Sequence, residues 1–319
     1  MARTLAFDVD GTIVDKKGNI DPGVMALFNK ADLNDTSFIF LSGNTLSNIE
    51  QTVKHINAQL NNPTGQKITP YMVANCGAQV VSPQGKMLRH VTIPNNKART
   101  IVMMSRYYDR GAIFIYSAGN TYYVENQDHI KEHSYPRFIK NAVLIRQYKK
   151  RELEKGDMGI DIKETKRLNT LQDFVDFTAQ NGGINSIYVA CTSGDEVVHR
   201  SVANAMLTTA EGLPMYDGIS KKCIPADSKM HALSYILNLE KDNDKYVDDV
   251  SEVVYFGDGT NDIQLLRACN LSVARGKKLP KYIKKQATYA LDDCTEFAKD
   301  LYDGVYDHTI KNDEMLNRL

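Results

Sequence analysis

The sequence predicts an α/β protein with a doubly wound, Rossmann-like parallel sheet and an inserted α+β domain. At both ends of the chain, apolar segments of strand length alternate with amphipathic helical segments, a pattern typical of parallel strands joined by helices. In the middle of the chain, strand-like segments flank short turns that contain glycine, which favours antiparallel hairpins. The length of 319 residues also indicates two domains.

The first part of the chain predicts three strands and two helices, with strands at residues 5–7, 37–41 and 71–74. Asp21 and Pro22 are a strong helix start, because the aspartate can cap the helix and proline suits its first turn. The second helix is indicated by apolar residues at alternating three- and four-residue spacings, with Asn44 as its expected N-cap. These residues are Leu46, Ile49, Val53, Ile56 and Leu60.

The middle of the chain predicts two hairpins, three helices and further strands. The hairpins are expected at 79–88 and 112–124, the helices near 101–108, 171–179 and 197–209, and the strands near 159–162 and 186–190. The expected domains are therefore a core of residues 1–84 and 223–319, interrupted by an insertion at 85–222.

After the insertion, the alternation of helix and strand returns. Ser228 is the expected cap of a helix, residues 253–256 form a buried strand, and a helix follows from Asp262. Short strands at 272–274 and 289–291 complete the expected sheet.

The charge balance excludes some classes of partner. The chain has 39 basic and 39 acidic residues, and a net charge of zero argues against nucleic acid or an anionic membrane as a general partner. No apolar stretch approaches the length of a membrane span, and the first strand begins too early for a signal peptide. The five cysteines are scattered and are expected to be reduced. We therefore expect a soluble, cytoplasmic protein.

Acidic residues follow two of the predicted strands. Asp8 and Asp10 come at the end of the first strand, and Asp258 and Asp262 follow the strand at 253–256. Ligands of open α/β sheets bind outside the carboxyl ends of the strands, so these carboxylates are expected to converge. Their mutual repulsion would be relieved by a divalent cation, and oxygen ligands of this kind suit Mg²⁺ together with a phosphate oxygen.

Two alternatives were weighed for these acids. A single Asp-Gly pair is more often a simple turn, but two such turns after two apolar strands favour a phosphoryl site. A calcium-binding EF-hand loop needs its glycine later than Gly11 and is preceded by a helix.

Four segments in this order resemble the haloacid dehalogenase-like (HAD) phosphohydrolases, within them the Cof-type group with a large α/β cap. The segments are Asp8-Val9-Asp10-Gly11-Thr12, Leu41-Ser42-Gly43-Asn44, Lys229 in its context Ala226-Asp227-Ser228-Lys229-Met230, and Gly257-Asp258-Gly259-Thr260-Asn261-Asp262. Asn75-Cys76-Gly77-Ala78 is also similar to that group's Asn-Gly-Ala stretch, with a cysteine between Asn and Gly. Many relatives carry Arg where this chain has Asn44.

The resemblance implies a catalytic role for each of the acids. Asp8 would be the nucleophile that forms an aspartyl-phosphate, and Asp10 the acid that protonates the leaving oxygen and later activates water. Mg²⁺ would be held by the Asp8 side chain, the backbone carbonyl of Asp10 and Asp258. Asp262 would lie behind these ligands or reach the metal through a water.

The phosphate oxygens also need hydrogen-bond donors. Ser42, the Gly43 amide and the following helix N-terminus form an anion site by geometry and dipole. The resemblance adds Lys229 as a positive charge and Asn261 as a neutral donor. A lysine at a helix start is usually solvated, so its sequence context carries this assignment.

The expected function is that of a Mg²⁺-dependent phosphatase acting on a small phosphorylated metabolite, a sugar phosphate or a nucleotide-like ester. A phosphomutase with a related site and a non-catalytic phosphometabolite sensor are the alternatives. His129 and His133 are one helical turn apart but lack the glutamate of a zinc-protease motif, so a surface or packing role is expected.

Overall fold

The computed structural model describes residues 3–15, 18–61, 64–125, 161–191, 193–217, 221–276, 279–291 and 301. The chain divides into two compact units. The larger unit contains Met1–Gly43, Ile49–Arg89 and Lys229–Leu319, and the smaller unit contains Asn44–Asn48 and His90–Ser228.

The described residues include fourteen strands and eight α-helices. The strands are β1 (Arg3–Asp8), β2 (Thr36–Leu41), β3 (Tyr71–Ala74), β4 (Gln79–Val81), β5 (Met87–His90), β6 (Ile113–Ala118), β7 (Thr121–Glu125), β8 (Asp161–Thr165), β9 (Ser186–Ala190), β10 (Tyr216–Asp217), β11 (Lys221–Pro225), β12 (Val254–Gly257), β13 (Leu271–Arg275) and β14 (Tyr289–Leu291). The helices are α1 (Pro22–Lys30), α2 (Leu46–Gln59), α3 (Asn95–Tyr108), α4 (Leu171–Asn181), α5 (Glu196–Thr209), α6 (Lys229–Leu239), α7 (Ile263–Ala268) and α8 (Lys281–Lys284).

The larger unit is built on an eight-stranded sheet in the order β14-β13-β12-β1-β2-β3-β4-β5. The strands from β14 to β3 are parallel to their neighbours, and β4 is antiparallel to β3. Because β1 lies between β2 and β12, the chain moves outward from β1 in both directions. This is the predicted doubly wound sheet, and its switch point is at β1, where ligands of such sheets bind.

Apolar side chains cover both faces of this sheet. On one face, the ring of Phe7 stacks on Phe256 with centroids 4.5 Å apart and also contacts Phe28 of α1. On the other face, Leu233 and Ile236 of α6 belong to a buried cluster with residues of five core strands. Each strand of the sheet centre is thus buried on both sides, which fixes the ends of β1 and β12 in place.

Local sequence signals explain where the first helix begins. Asp21 accepts hydrogen bonds from the amides of Gly23 (2.9 Å) and Val24 (3.1 Å), and Pro22 occupies the first helical position. This is the predicted cap, and it satisfies amides that a helix N-terminus leaves without intrahelical partners.

The smaller unit contains a six-stranded sheet in the order β10-β11-β9-β6-β7-β8, antiparallel except for the parallel pair β7 and β8. The predicted hairpin of β6 and β7 turns at Gly119, which has a φ of +58°. Helix α4 packs on this hairpin, because Phe177 contacts the rings of Tyr116 and Tyr123. The unit therefore has the antiparallel strands and helices expected of the insertion.

The strands near the predicted domain boundaries differ from the sequence expectation. Strand β5 was expected inside the insertion that starts at 85, but it lies in the eight-stranded sheet beside β4. The Ser82 amide donates to the Lys86 carbonyl, and this tight turn keeps both strands of the hairpin in one sheet. At the other boundary, β11 extends to Pro225 and pairs with β9 of the smaller unit.

Among the helices that the structure describes, none is long and apolar enough to cross a membrane.

Candidate active site

The carboxyl ends of three adjacent parallel strands, β12, β1 and β2, carry the predicted site residues. Phe7 is paired with Phe256 and Asp8 with Leu41, so the three strands end at the same level. The chain leaves them as the loops that begin at Asp8, Ser42 and Asp258. Carboxylate oxygens of Asp8, Asp258 and Asp262 lie within 4.8 Å of one another. The predicted convergence of these three acids is confirmed.

Lys229 supplies the positive charge among these acids. It is the first residue of α6, and its side chain is fully buried. Its Nζ donates to Asp8 Oδ1 and to Asp262 Oδ1, the latter at 2.7 Å. Burial opposes the ammonium charge, but Asp262 and Asp8 outweigh it and raise the pKa of Lys229. The side chain is therefore protonated at neutral pH and faces the site instead of solvent.

Asp262 holds this arrangement together. It is fully buried, and its Oδ1 accepts from Lys229 and from the Tyr255 hydroxyl at 2.6 Å. Its Oδ2 accepts from the amides of Asp258 (3.1 Å) and Gly259 (2.8 Å). Four donors thus occupy the two oxygens, so Asp262 orients Lys229 and the loop that carries Asp258.

Tyr255 was missed as a site residue by the sequence analysis. It lies in β12 and is fully buried, and its hydroxyl hydrogen-bonds to Asp262. Burial, followed by the charges of Asp262 and Asp8, raises the pKa of this phenol. The apolar pattern of the strand assigns Tyr255 to the core, and no local signal indicates where its hydroxyl group points.

The carboxylates are held at a spacing that disfavours their full ionisation. Burial raises the pKa of Asp8 well above its usual value; Lys229 lowers it, whereas Asp262, Asp258 and Asp10 raise it further. Burial and then Asp262 raise the pKa of Asp258 to about 7. The protein therefore concentrates more negative charge here than Lys229 offsets.

Gly11 allows the close approach of Asp258. Its φ is +94°, a left-handed conformation that favours glycine, and a Cβ atom at this position would lie 2.1 Å from Asp258 Oδ2. The Asp258 carboxylate therefore lies directly against the loop that carries Asp10. Any larger residue at 11 would displace it.

The donor set fits a hard divalent cation. Such a cation prefers carboxylate oxygens, and Asp8 and Asp258 present theirs in a site with excess negative charge. Because Asp262 is occupied by four donors, Asp8 and Asp258 are the carboxylates suited to ligate the cation. The buried acids can thus bind a metal ion.

Asp10 and Ser42 meet beside this cluster. The Ser42 hydroxyl donates to Asp10 Oδ2 at 3.0 Å. The backbone of Ser42 is fixed by two hydrogen bonds, from its amide to the Val73 carbonyl (2.8 Å) and from the Cys76 amide to its carbonyl (2.9 Å). Ser42 is fully buried, whereas Asp10 is exposed. The loop after β2 therefore has a fixed backbone next to the exposed acid.

The two remaining predicted phosphate-binding residues are neighbours. A Cβ on Gly43 would lie 3.6 Å from the Asn261 side-chain nitrogen and 3.3 Å from Cys76 Sγ. Asn75 and Cys76, in the loop after β3, have φ values of 51° and 59°, an uncommon conformation for residues other than glycine. The loops after β2, β3 and β12 are thus close-packed around Gly43.

The predicted capping role of Asn44 is wrong. Helix α2 begins at Leu46, so the residue before it is Thr45. Within the smaller unit, Asn44 Oδ1 instead accepts a 2.9 Å hydrogen bond from the Tyr122 hydroxyl. A side chain engaged in this way does not cap α2, and sequence alone does not reveal the distant tyrosine.

Some sequence-based expectations concern other side chains. Cys76, Cys191, Cys223 and Cys269 are buried free thiols, as expected. His129, His133 and Cys294 lie outside the described residues.

Comparison with known proteins identifies the family. The sequence profile of the haloacid dehalogenase-like hydrolases matches residues 5–193 and 220–307. The chain belongs to this family. Its members are generally phosphatases and phosphotransferases, and the predicted HAD core with a cap domain is confirmed. The comparison with curated proteins found no match.

Solved structures share the fold over nearly the whole chain. A haloacid dehalogenase-like hydrolase from B. subtilis has 16% identity and a TM-score of 0.67, with 95% of this chain and 100% of that chain covered. The protein SMU.1108c from Streptococcus mutans UA159 has 18% identity and a TM-score of 0.66, with coverage of 96% and 99%. A sugar phosphatase of HAD subclass IIB has 16% identity and a TM-score of 0.64, with coverage of 95% and 100%.

Proposed function

We propose that the protein is a Mg²⁺-dependent phosphatase that hydrolyses a small phosphorylated metabolite through an aspartyl-phosphate on Asp8. One observation carries the proposal: Asp8 lies at the switch point of the sheet, in contact with a buried Lys229 and within 4.8 Å of Asp258. A site that only bound phosphate would be better served by cations alone, because buried carboxylates repel the ligand. The acids have a purpose if one attacks phosphorus and the others hold a cation.

The first half-reaction would use Asp8 and Asp10. An Asp8 carboxylate oxygen attacks phosphorus, the bond from phosphorus to the ester oxygen breaks, and Asp10 gives its proton to the departing oxygen. The exposure of Asp10 and its hydrogen bond to Ser42 support this role, because a leaving-group acid must reach a group outside the buried cluster. Ser42, the Gly43 amide, Asn261 and Lys229 would bind the phosphoryl oxygens.

The second half-reaction would return Asp8 to its initial state. Asp10, now a carboxylate, removes a proton from water as the water oxygen attacks phosphorus. The acyl-phosphate bond breaks, phosphate leaves, and Asp10 is again protonated. Atoms and charge balance with water as the only co-reactant.

Asp8 and Asp258, together with the backbone carbonyl of Asp10, would hold Mg²⁺. When bound, the ion would neutralise the charge of the carboxylates and of the phosphoryl group. Without a cation, the raised pKa of Asp8 favours its protonated form, which is a poor nucleophile. Metal dependence is therefore expected from the charge balance of the site.

The substrate class is a small phosphomonoester such as a sugar phosphate or a nucleotide-like ester. A structural neighbour is described as a sugar phosphatase, which supports this class. The inserted unit, proposed at residues 85–222, would set the choice among such esters. The cytoplasm is the proposed compartment.

A phosphate-release screen tests the proposal. Purified protein is incubated with a panel of phosphorylated metabolites and with p-nitrophenyl phosphate, in Mg²⁺ and in EDTA. We expect phosphate release that requires Mg²⁺ and is lost in Asp8→Asn, whereas Asp244→Asn, a matched change at an exposed loop aspartate, leaves it intact. Undiminished turnover in Asp8→Asn, or in EDTA, would contradict the proposal.

A further inference from the structure

Arg275 is a nearly buried cation at the edge of the site that the function proposed above leaves without a role. It is the last residue of β13, two strands from β1, and is 8% exposed. Its Nη1 donates to the carbonyl of Thr12 at 2.7 Å, and its Nη2 pairs with Asp21 Oδ2. Arg275 thus bridges the loop that follows Asp8 and the N-cap of α1.

The loop that Arg275 contacts is the one that carries Asp10. The Gly11 amide donates to the Val14 carbonyl (2.8 Å), and the Val14 amide donates to the Val9 carbonyl (3.0 Å). These bonds close a tight loop that contains Asp10, Gly11 and Thr12. The position of the Thr12 carbonyl therefore affects the backbone of Asp10, two residues earlier.

Asp21 fixes the same loop from its other side. Its Oδ1 accepts from the first amides of α1, its Oδ2 pairs with Arg275, and its own amide donates to the Ile13 carbonyl at 2.9 Å. Consecutive carbonyls, of Thr12 and Ile13, are thus held by two residues that are themselves an ion pair. Both oxygens of the Asp21 carboxylate are engaged, which keeps the guanidinium group in one orientation.

We infer that Arg275 is a positioning residue that holds the Asp10 loop in the geometry needed for proton transfer to the leaving group. Asp10 is exposed and its side chain is anchored by the Ser42 hydroxyl. An exposed acid keeps a fixed position only if its backbone is fixed, and Arg275 together with Asp21 supplies that support. The inference rests on the proposed function for the role of Asp10.

The test compares Arg275→Gln with Arg267→Gln, a matched change at an exposed arginine of α7. Single-turnover rates are measured with p-nitrophenyl phosphate and with the most active alkyl phosphate of the screen. Misplacement of a catalytic group costs up to about 100-fold, and an activated leaving group needs less protonation. We expect Arg275→Gln to lose about 100-fold with the alkyl ester and about 10-fold with the activated ester, whereas Arg267→Gln matches the wild type.

A second measurement does not depend on activity. Hydrogen exchange of the amides of residues 9–14 should become faster in Arg275→Gln, whereas exchange in β1 and in α6 stays unchanged. If the wild type hydrolyses no phosphoester but this local change occurs, the proposed function fails and the role of Arg275 in holding the loop stands.

Two outcomes would overturn the inference. One is an Arg275→Gln variant with wild-type rates, normalised to the fraction of active protein, for both esters. The other is an equal loss for both esters with unchanged exchange at residues 9–14, which would indicate a general effect on folding. If Arg275→Gln does not fold, Asp21→Asn decides the matter by the same readouts, because asparagine can still cap α1 but no longer pairs with the guanidinium group as an ion.

Discussion

Replacing Lys229 by methionine should destabilise the protein at neutral pH and abolish its activity. Methionine has a similar shape but cannot neutralise the carboxylates, and the Lys229 side chain is fully buried between Asp8 and Asp262, whose side chains are 6% and 0% exposed. Breaking a buried ion pair by removing one partner costs about 3–5 kcal/mol. Each kcal/mol lowers Tm by roughly 2–4 °C in a unit of 150–250 residues, so a fall of roughly 6–20 °C is expected.

The pH dependence gives this prediction a second, independent readout. The folded-state pKa of Lys229 is raised above 10.5, so its contribution to stability is fully present at neutral pH and is lost only as pH rises through that raised value. In Lys229→Met the carboxylates take up protons more readily than in the wild type. The difference in stability should therefore shrink when pH is lowered from about 7.5 to about 5.

Thermal and denaturant unfolding in EDTA measure this effect. Lys54→Met, at an exposed position of α2, is the matched control and should unfold like the wild type. If Lys229→Met and Lys54→Met had the same Tm at both pH values, Lys229 would not be the buried counter-ion described above, and the electrostatic account of the site would fail.

The other predictions concern the remaining site residues. Asp10→Asn should slow hydrolysis by about 10²- to 10⁴-fold, with a smaller loss in the first step for an ester with an activated leaving group; equal losses would argue against a leaving-group acid. Asp258→Ala should weaken Mg²⁺ binding in calorimetric titrations, whereas Ser42→Ala should retain it and lose phosphate affinity. An unchanged Mg²⁺ affinity in Asp258→Ala would remove this residue from the metal site. Tyr255→Phe should cost about 1–3 kcal/mol of unfolding free energy, because the buried Asp262 loses a donor; equilibrium unfolding that matches the wild type would refute this.

The sequence predicts the acids of the site well because their placement follows from topology. A carboxylate at the end of a buried parallel strand can only lie at one edge of the sheet, so Asp8 and Asp258 had to meet once β1 and β12 were neighbours. The start of α1 is equally local, since Asp21 and Pro22 suffice to specify it.

The residues that the sequence did not predict act through contacts distant along the chain. The burial of Lys229 depends on where the N-terminus of α6 lies against β1, and the contact of Tyr255 with Asp262 depends on the turn after β12. Arg275 reaches Thr12, a residue 263 positions earlier in the chain. No periodicity or local motif encodes such a pairing.

Asn44 shows why a good local signal can also fail. Asparagine is among the best N-cap residues, and its position before an amphipathic segment predicted that role. Helix α2 begins one residue later than this reading requires, and the Asn44 side chain is hydrogen-bonded to Tyr122. A tertiary hydrogen bond has thus replaced a local one.

The most direct test of the central claim is to trap the covalent intermediate. Wild-type protein and the Asp10→Asn and Asp8→Asn variants are mixed with p-nitrophenyl phosphate and Mg²⁺, quenched in acid, digested and analysed by mass spectrometry. We predict one added phosphoryl group on the peptide that contains Asp8, transient in the wild type, accumulating in Asp10→Asn and absent in Asp8→Asn. A phosphoryl group on another residue, or turnover by Asp8→Asn at the wild-type rate, would contradict the account.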